Sequence, residues 1–150
     1  MAKSNKTTVE HLKSVLANTY VLYLKTQNYH WNVTGGNFAA LHELFNQQYT
    51  EMAAAIDEIA ERIRALGSFA PGSFAEFSEF AVISEASAKD KAGANKMVKN
   101  LRDDNHTLVG ILEKALKAAQ AEGDEATVDL FIGRTAAHQK HAWMLDSSIE

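Results

Sequence analysis

The chain has 150 residues, 46% of them hydrophobic, and a formal charge of −4. That is enough for one domain with a real core; it excludes general disorder, and no apolar run approaches the ~20 residues of a membrane span. With no cysteine, disulfides, thiolate catalysis and Cys-type zinc sites are excluded together, and the mild negative charge has the wrong sign for general attraction to nucleic acid.

Residues 1–7 read as a short flexible tail, polar and without the apolar segment of a secretory signal, so a cytoplasmic protein is the default expectation. A single proline, Pro71, and the lack of sustained alternation predict an all-α domain. Val9, Leu12, Leu16, Tyr20, Tyr23, Gln27 and His30 recur at three- and four-residue steps, predicting an amphipathic helix from about Thr8 to Asn32. Val15 and Leu22 lie off that stripe, which suggests a second apolar face and a partner subunit. Thr34, Gly35, Gly36 and Asn37 make a turn, and a second helix runs to about Leu66 before Gly67.

Between Gly67 and Ser87 the composition shifts to Gly, Ser, Pro and phenylalanine. Ser73 and Glu76 form a capping box ahead of Phe77 and Phe80, predicting a short helix inside a crossover connection. Phe74, Phe77 and Phe80 then share one aromatic face, to be covered by the core or by another subunit. A third long helix is expected from near Ser87 to Gly123, with Met97, Leu101, Leu108, Leu112, Ala115 and Ala119 inward. A fourth, capped by Asp124, presents Val128, Phe131, Thr135, His138, Ala142, Leu145 and Ile149. Two helix pairs joined by one long crossover describe a ferritin-like four-helix bundle.

The ligand pattern is unusual for such a bundle. A di-iron centre inside one subunit uses Glu-x-x-His pairs, and this chain has none. Instead His30 and His42 flank the first turn, and Asp57 and Glu61 follow on the second helix. Two imidazoles and two carboxylates suit iron, zinc or manganese. At ~1.5 Å of rise per residue, however, His42 and Asp57 stand ~22 Å apart. If the four residues share a metal, a second copy must run antiparallel, with the two-fold axis near Thr50 and Glu51 and two equivalent sites per dimer. Ala53, Ala54 and Ala55 lie between the ligand groups and would permit close approach.

Two segments, HWNVTGGNFAALH over 30–42 and DEIAERIRALG over 57–67, resemble the signature motifs of Dps proteins, the miniferritins of starved bacteria. The likeness extends to the short middle helix and to Trp143. It implies a hollow shell of twelve subunits that oxidises Fe(II), preferably with hydrogen peroxide rather than dioxygen, at sites between subunits, and stores ferric mineral inside. By that likeness His30 and His42 are the imidazole ligands, and Asp57 and Glu61 are the carboxylates of the facing subunit. One position departs: four residues after His42 the family commonly has an acidic residue, and here Asn46 stands. An amide oxygen binds iron more weakly than a carboxylate, so a second iron at each site is expected to be weakly held.

The resemblance also suggests that Trp31 and Tyr49 quench one-electron oxidants, against a plain reading as packing aromatics. It places acidic residues at three-fold pores near Glu125, Asp129 and Asp124, against a plain reading of Asp124 as a helix N-cap. His138 and His141 form H-x-x-H but read as packing residues, since His138 falls on the apolar row and no nearby carboxylate completes a site; His11 and His106 read as ordinary histidines. DNA binding is the competing function. Only Lys3 and Lys6 stand in the N-terminal tail, and twelve chains at −4 would carry roughly −48, so binding at physiological salt is expected to be weak or absent, with nucleoid association left open.

Overall fold

The computed structural model describes residues 4–149, which form five α-helices; no strand occurs among the described residues. They are α1 (Lys6–Asn32), α2 (Phe38–Ala65), α3 (Phe74–Phe80), α4 (Ala94–Ala121) and α5 (Glu125–Asp146). Helix α1 pairs with α2 and α4 with α5, α1 also packs on α4, and α3 lies across α1. The crossover from α2 to α4 carries α3, as its capping residues predict: the Ser73 hydroxyl accepts from the Glu76 amide at 3.2 Å and donates to the Glu76 carboxylate at 2.9 Å.

Two boundaries differ from the sequence reading. Helix α1 starts at Lys6, so Lys6 and Thr7 are helical rather than tail, and Asn5 donates from Nδ2 to the Leu66 carbonyl at 3.0 Å. The remaining tail residues 1–3 lie outside the described residues. Ser87 caps a 3-10 turn, Ala88–Asp90, rather than α4. Lys91 follows in the left-handed region with φ 48°, which breaks the helical path, so α4 begins only at Ala94. At the α1–α2 turn Gly35 has φ 115°, a conformation open to glycine and costly for a residue with a Cβ.

Val15 and Leu22 are fully buried within the chain and do not await a partner. The reason lies in the neighbours of that face, α4 and the crossover. Asn18 and Lys25 share their face of α1. The Asn18 carboxamide oxygen accepts from the amides of Val82 and Ile83, while Lys25 donates to the Ser84 carbonyl at 2.9 Å and pairs with Asp104 of α4 at 2.7 Å. The crossover is thereby strapped over what sequence periodicity marks as an outer face. Burial pushes the Asp104 carboxyl above its ordinary range, with Lys25 pulling the other way. The three phenylalanines divide: Phe77 is buried and stacked on Tyr20 with centroids 4.7 Å apart, Phe80 is half-buried, and Phe74 is exposed.

Candidate metal centre

His30 closes α1 and His42 opens α2, and the glycine turn folds them face to face. Their rings stack with centroids 3.8 Å apart and 13° between planes. His30 Nδ1 lies 2.7 Å from the His42 carbonyl, and His42 Nδ1 lies 2.7 Å from the His30 carbonyl. A carbonyl only accepts, so each Nδ1 carries the proton; in the neutral rings both Nε2 atoms keep their lone pairs. The reciprocal bonds fix tautomer and ring orientation together, which is how protein metal sites prepare a histidine ligand. They also occupy a carbonyl in the last turn of α1, where the helix itself offers no donor. Phe38 stacks on the outer side of His42 at 5.0 Å.

Asp57 and Glu61 are exposed one turn apart on α2 and are bonded to nothing among the described residues. No three His, Cys, Asp or Glu side chains among the described residues gather closely enough to hold a metal ion. The structure therefore brings His30 and His42 together and leaves the carboxylates elsewhere on the chain. Asp57 borders an apolar groove of about 570 Å³, lined also by Leu16, Tyr20, Ala53, Ile56 and Phe77. Asn46 lies one turn after His42, half-buried and with no hydrogen-bond partner among the described residues. The Tyr49 ring meets His30 edge-on at 5.2 Å, whereas Trp31 is 60% exposed and stacks on nothing described.

A second polar cluster, inside the bundle, is absent from the sequence reading. Arg134 of α5 holds Glu51 of α2 through both carboxylate oxygens, and its Nη2 also donates to His138 Nε2 at 2.9 Å. Because arginine only donates, His138 must carry its proton on Nδ1, which donates to the Asn105 oxygen at 2.8 Å. His141 Nε2 stands 3.5 Å from Glu51, and Gln48 donates to the His141 carbonyl at 3.3 Å. The expectation that no nearby carboxylate completes a site at the H-x-x-H pair is thus corrected, since Glu51 arrives from α2. Burial drives both rings toward the neutral form, His138 well below its ordinary value and His141 to about 4. With Arg134 spread across Glu51 and His138, the interior donors already hold a cation. A signal existed: Arg134 falls on the apolar row of α5 between Phe131 and His138, and a charge there needs a buried partner.

The acidic residues near the α4–α5 turn are also sorted. Asp124 accepts from the Thr127 amide at 3.1 Å, from the Thr127 hydroxyl, and from Arg62 at 3.0 Å. Burial pushes its carboxyl upward, but the Thr127 and Arg62 bonds outweigh this and hold it below the ordinary range. Glu122 is taken by the hydroxyl and amide of Thr8, which lower its pKa. Glu125 and Asp129 are exposed.

Bundle and crossover helix define a ferritin-like protein, and a ferritin-like domain family matches residues 9–150. The chain belongs to the Dps branch of that family. It is 40% identical over 150 residues to a DNA protection during starvation protein of Brevibacillus brevis, covering 97% of this chain and 99% of that one. Dps from Staphylococcus aureus superposes with a TM-score of 0.93 at 36% identity, over 99% of both chains. Dps from Vibrio cholerae O1, described as a member of a broad superfamily of ferritin-like diiron-carboxylate proteins, gives 0.91 at 31% identity over 98% of this chain and 96% of that one.

Proposed function

We propose that this chain is a ferroxidase and iron-storage protein whose metal sites form between subunits, His30 and His42 of one copy facing Asp57 and Glu61 of another. The observation that carries the reading is the reciprocal pair of Nδ1 bonds, which turns two adjacent imidazoles into prepared Nε2 donors at the chain's surface. The unpaired carboxylates and the apolar groove beside Asp57 supply the complementary half. Membership of a family with a relative described as diiron-carboxylate supports iron as the substrate, although zinc and manganese would accept the same donors.

Hydrogen peroxide takes two electrons, so two Fe(II) ions oxidised together yield two Fe(III) ions and water, with no hydroxyl radical released. This is the protective reaction, and the ferric product is stored within a closed shell of twelve copies. Asn46 offers only a neutral amide oxygen, so one iron is held firmly at each site and a second weakly. Glu125 and Asp129, exposed at the start of α5, remain the pore candidates; Asp124 is spent on its cap and on Arg62. Trp31 and Tyr49 quench stray one-electron oxidants in this reading. No described helix is long and apolar enough to cross a membrane, and we place the shell in the cytoplasm.

The test is anaerobic Fe(II) loading followed by a peroxide pulse, with iron and protein followed through gel filtration. Rapid oxidation with iron eluting at about twelve subunits is expected, and a His30→Ala, Asp57→Ala double variant loses it. Iron that precipitates equally with both proteins contradicts the reading and moves DNA protection forward. DNA binding itself is expected to be weak, given the charge of −4 per chain; plasmid retained in a gel shift above ~0.1 M salt would overturn that expectation.

A further inference from the structure

Three tyrosines, two of them packed against the core, form a line of rings that the ligand set does not require. The line starts at the metal site, where Tyr49 meets His30 edge-on at 5.2 Å. Tyr49 meets Tyr23 at 5.9 Å, and Tyr23 meets Tyr20 at 5.5 Å, both edge to face. All three rings are half-buried. Beyond Tyr20 the next rings are Phe77, stacked at 4.7 Å, and Phe74 at 6.4 Å. Phenylalanine is far harder to oxidise than a phenol, so the oxidisable line stops at Tyr20.

The place where it stops gives the line its meaning. Tyr20 and Asp57 line the same groove. If Asp57 serves the histidine pair of the facing copy, then the His30 end of the line lies at one metal site of the dimer and the Tyr20 end at the other. From His30 to Tyr20 along α1 is ~15 Å. Electron transfer falls steeply with distance, so one jump of that length is slow, while successive hops between neighbouring phenols are fast. Asn46 supplies the need for such transfer: a site that holds one iron firmly can deliver one electron, and peroxide requires two.

We infer that Tyr49, Tyr23 and Tyr20 are an electron relay joining the two metal sites of a dimer, so that iron at one site supplies the second electron to peroxide at the other. The inference rests on the inter-subunit ferroxidase reading above. Fe(II) at the first site reduces peroxide by one electron, cleaving the O–O bond to hydroxide and a hydroxyl radical still held in the site. Tyr49 gives that radical a hydrogen atom, forming water and a Tyr49 phenoxyl. The phenoxyl takes a hydrogen atom's equivalent from Tyr23, and Tyr23 from Tyr20. The Tyr20 phenoxyl takes an electron from Fe(II) at the second site and a proton from solvent. With one further proton neutralising the hydroxide, one peroxide, two Fe(II) and two protons become two Fe(III) and two waters, and every tyrosine is restored.

The test compares wild type with Tyr23→Phe, which keeps the ring and removes the phenol. Both are loaded anaerobically with one Fe(II) per site and mixed with limiting hydrogen peroxide. Wild type is expected to oxidise two Fe(II) per peroxide without a hydroxyl-radical spin adduct or a lasting tyrosyl signal in electron paramagnetic resonance. Tyr23→Phe, with assembly and Fe(II) binding unchanged, is expected to fall toward one Fe(II) per peroxide and to accumulate a tyrosyl radical that vanishes when Tyr49→Phe is added. Tyr20→Phe gives the same loss of stoichiometry and serves if the Tyr23 variant fails to assemble. A two-to-one ratio with no radical in these variants overturns the relay alone. Wild type that binds no iron at His30 and His42 overturns the ferroxidase reading and the relay with it.

Discussion

The chain holds two pairs of neighbouring histidines with opposite fates. His30 and His42 stack at 3.8 Å beside a surface turn, each with Nδ1 committed to a carbonyl and Nε2 without a hydrogen-bond partner among the described residues. His138 and His141 meet edge-on at 5.5 Å inside the bundle. There both nitrogens of His138 are used, by Asn105 and Arg134, and a guanidinium fills the space beside Glu51. Sequence spacing does not separate the two pairs, since H-x-x-H is the better-known metal pattern. What separates them is which nitrogen each neighbour consumes, and whether a cation is already present. In the proposed function the first pair is an open half-site; the second has its charge balanced internally and holds α2, α4 and α5 together.

The largest expected effect breaks the open pair. His30→Ala removes one ligand and the Nδ1 bond to His42, and should lower the initial rate of peroxide-driven Fe(II) oxidation at least ~100-fold, beyond the loss typical of an altered supporting bond. Stopped-flow absorbance of the ferric product measures it, and His138→Gln should leave that rate close to wild type. Glu51→Ala breaks the closed cluster by leaving Arg134 charged and buried. It should cost about 2–3 kcal/mol, below the full range for a broken buried pair because Glu51 is itself 39% exposed. The denaturation midpoint at fixed subunit concentration reports this, and a Glu51→Leu, Arg134→Met double variant should recover much of it. Asn46→Asp sharpens the open site: calorimetric titration of Fe(II) under nitrogen should rise from about one ion per site toward two.

A smaller effect follows from the closed pair's titration. Folding holds His138 and His141 neutral, with His141 at about 4. The unfolded chain binds more protons below the ordinary histidine value near 6.5, so stability is full above ~6.5 and falls as the pH drops toward 4. His141→Gln should flatten that part of the profile in denaturation midpoints measured from pH 7 to 4.5, and an unchanged slope would contradict burial of the ring in its neutral form.

Much of this was legible in the amino-acid sequence where the information is local. Helical periodicity and the Ser73 and Asp124 caps depend on residues within a turn or two, and the His30 to His42 spacing on one helix–turn–helix segment. The start of α4 was not legible, because Ser87 and Asp90 make a true capping box and only the left-handed Lys91 behind it shows that the turn ends there. Burial of Val15 and Leu22 is not legible locally because the segments bonded to their face of α1, the crossover and α4, lie some sixty residues and more later. The Glu51–Arg134 contact was missed for the same reason at greater separation. The ring line from Tyr49 to Tyr20 joins two helices across the turn and has no sequence motif at all.

The most direct measurement is complementation between two inactive subunits. His30→Ala and Asp57→Ala chains would each be assembled alone and then co-expressed, with peroxide-driven Fe(II) oxidation measured per site. If each site joins histidines of one copy to carboxylates of another, a mixed dimer regains one intact site. Random mixing should then restore about a quarter of wild-type activity from two inactive parents. Mixed shells that stay as inactive as either parent would contradict a site shared between subunits.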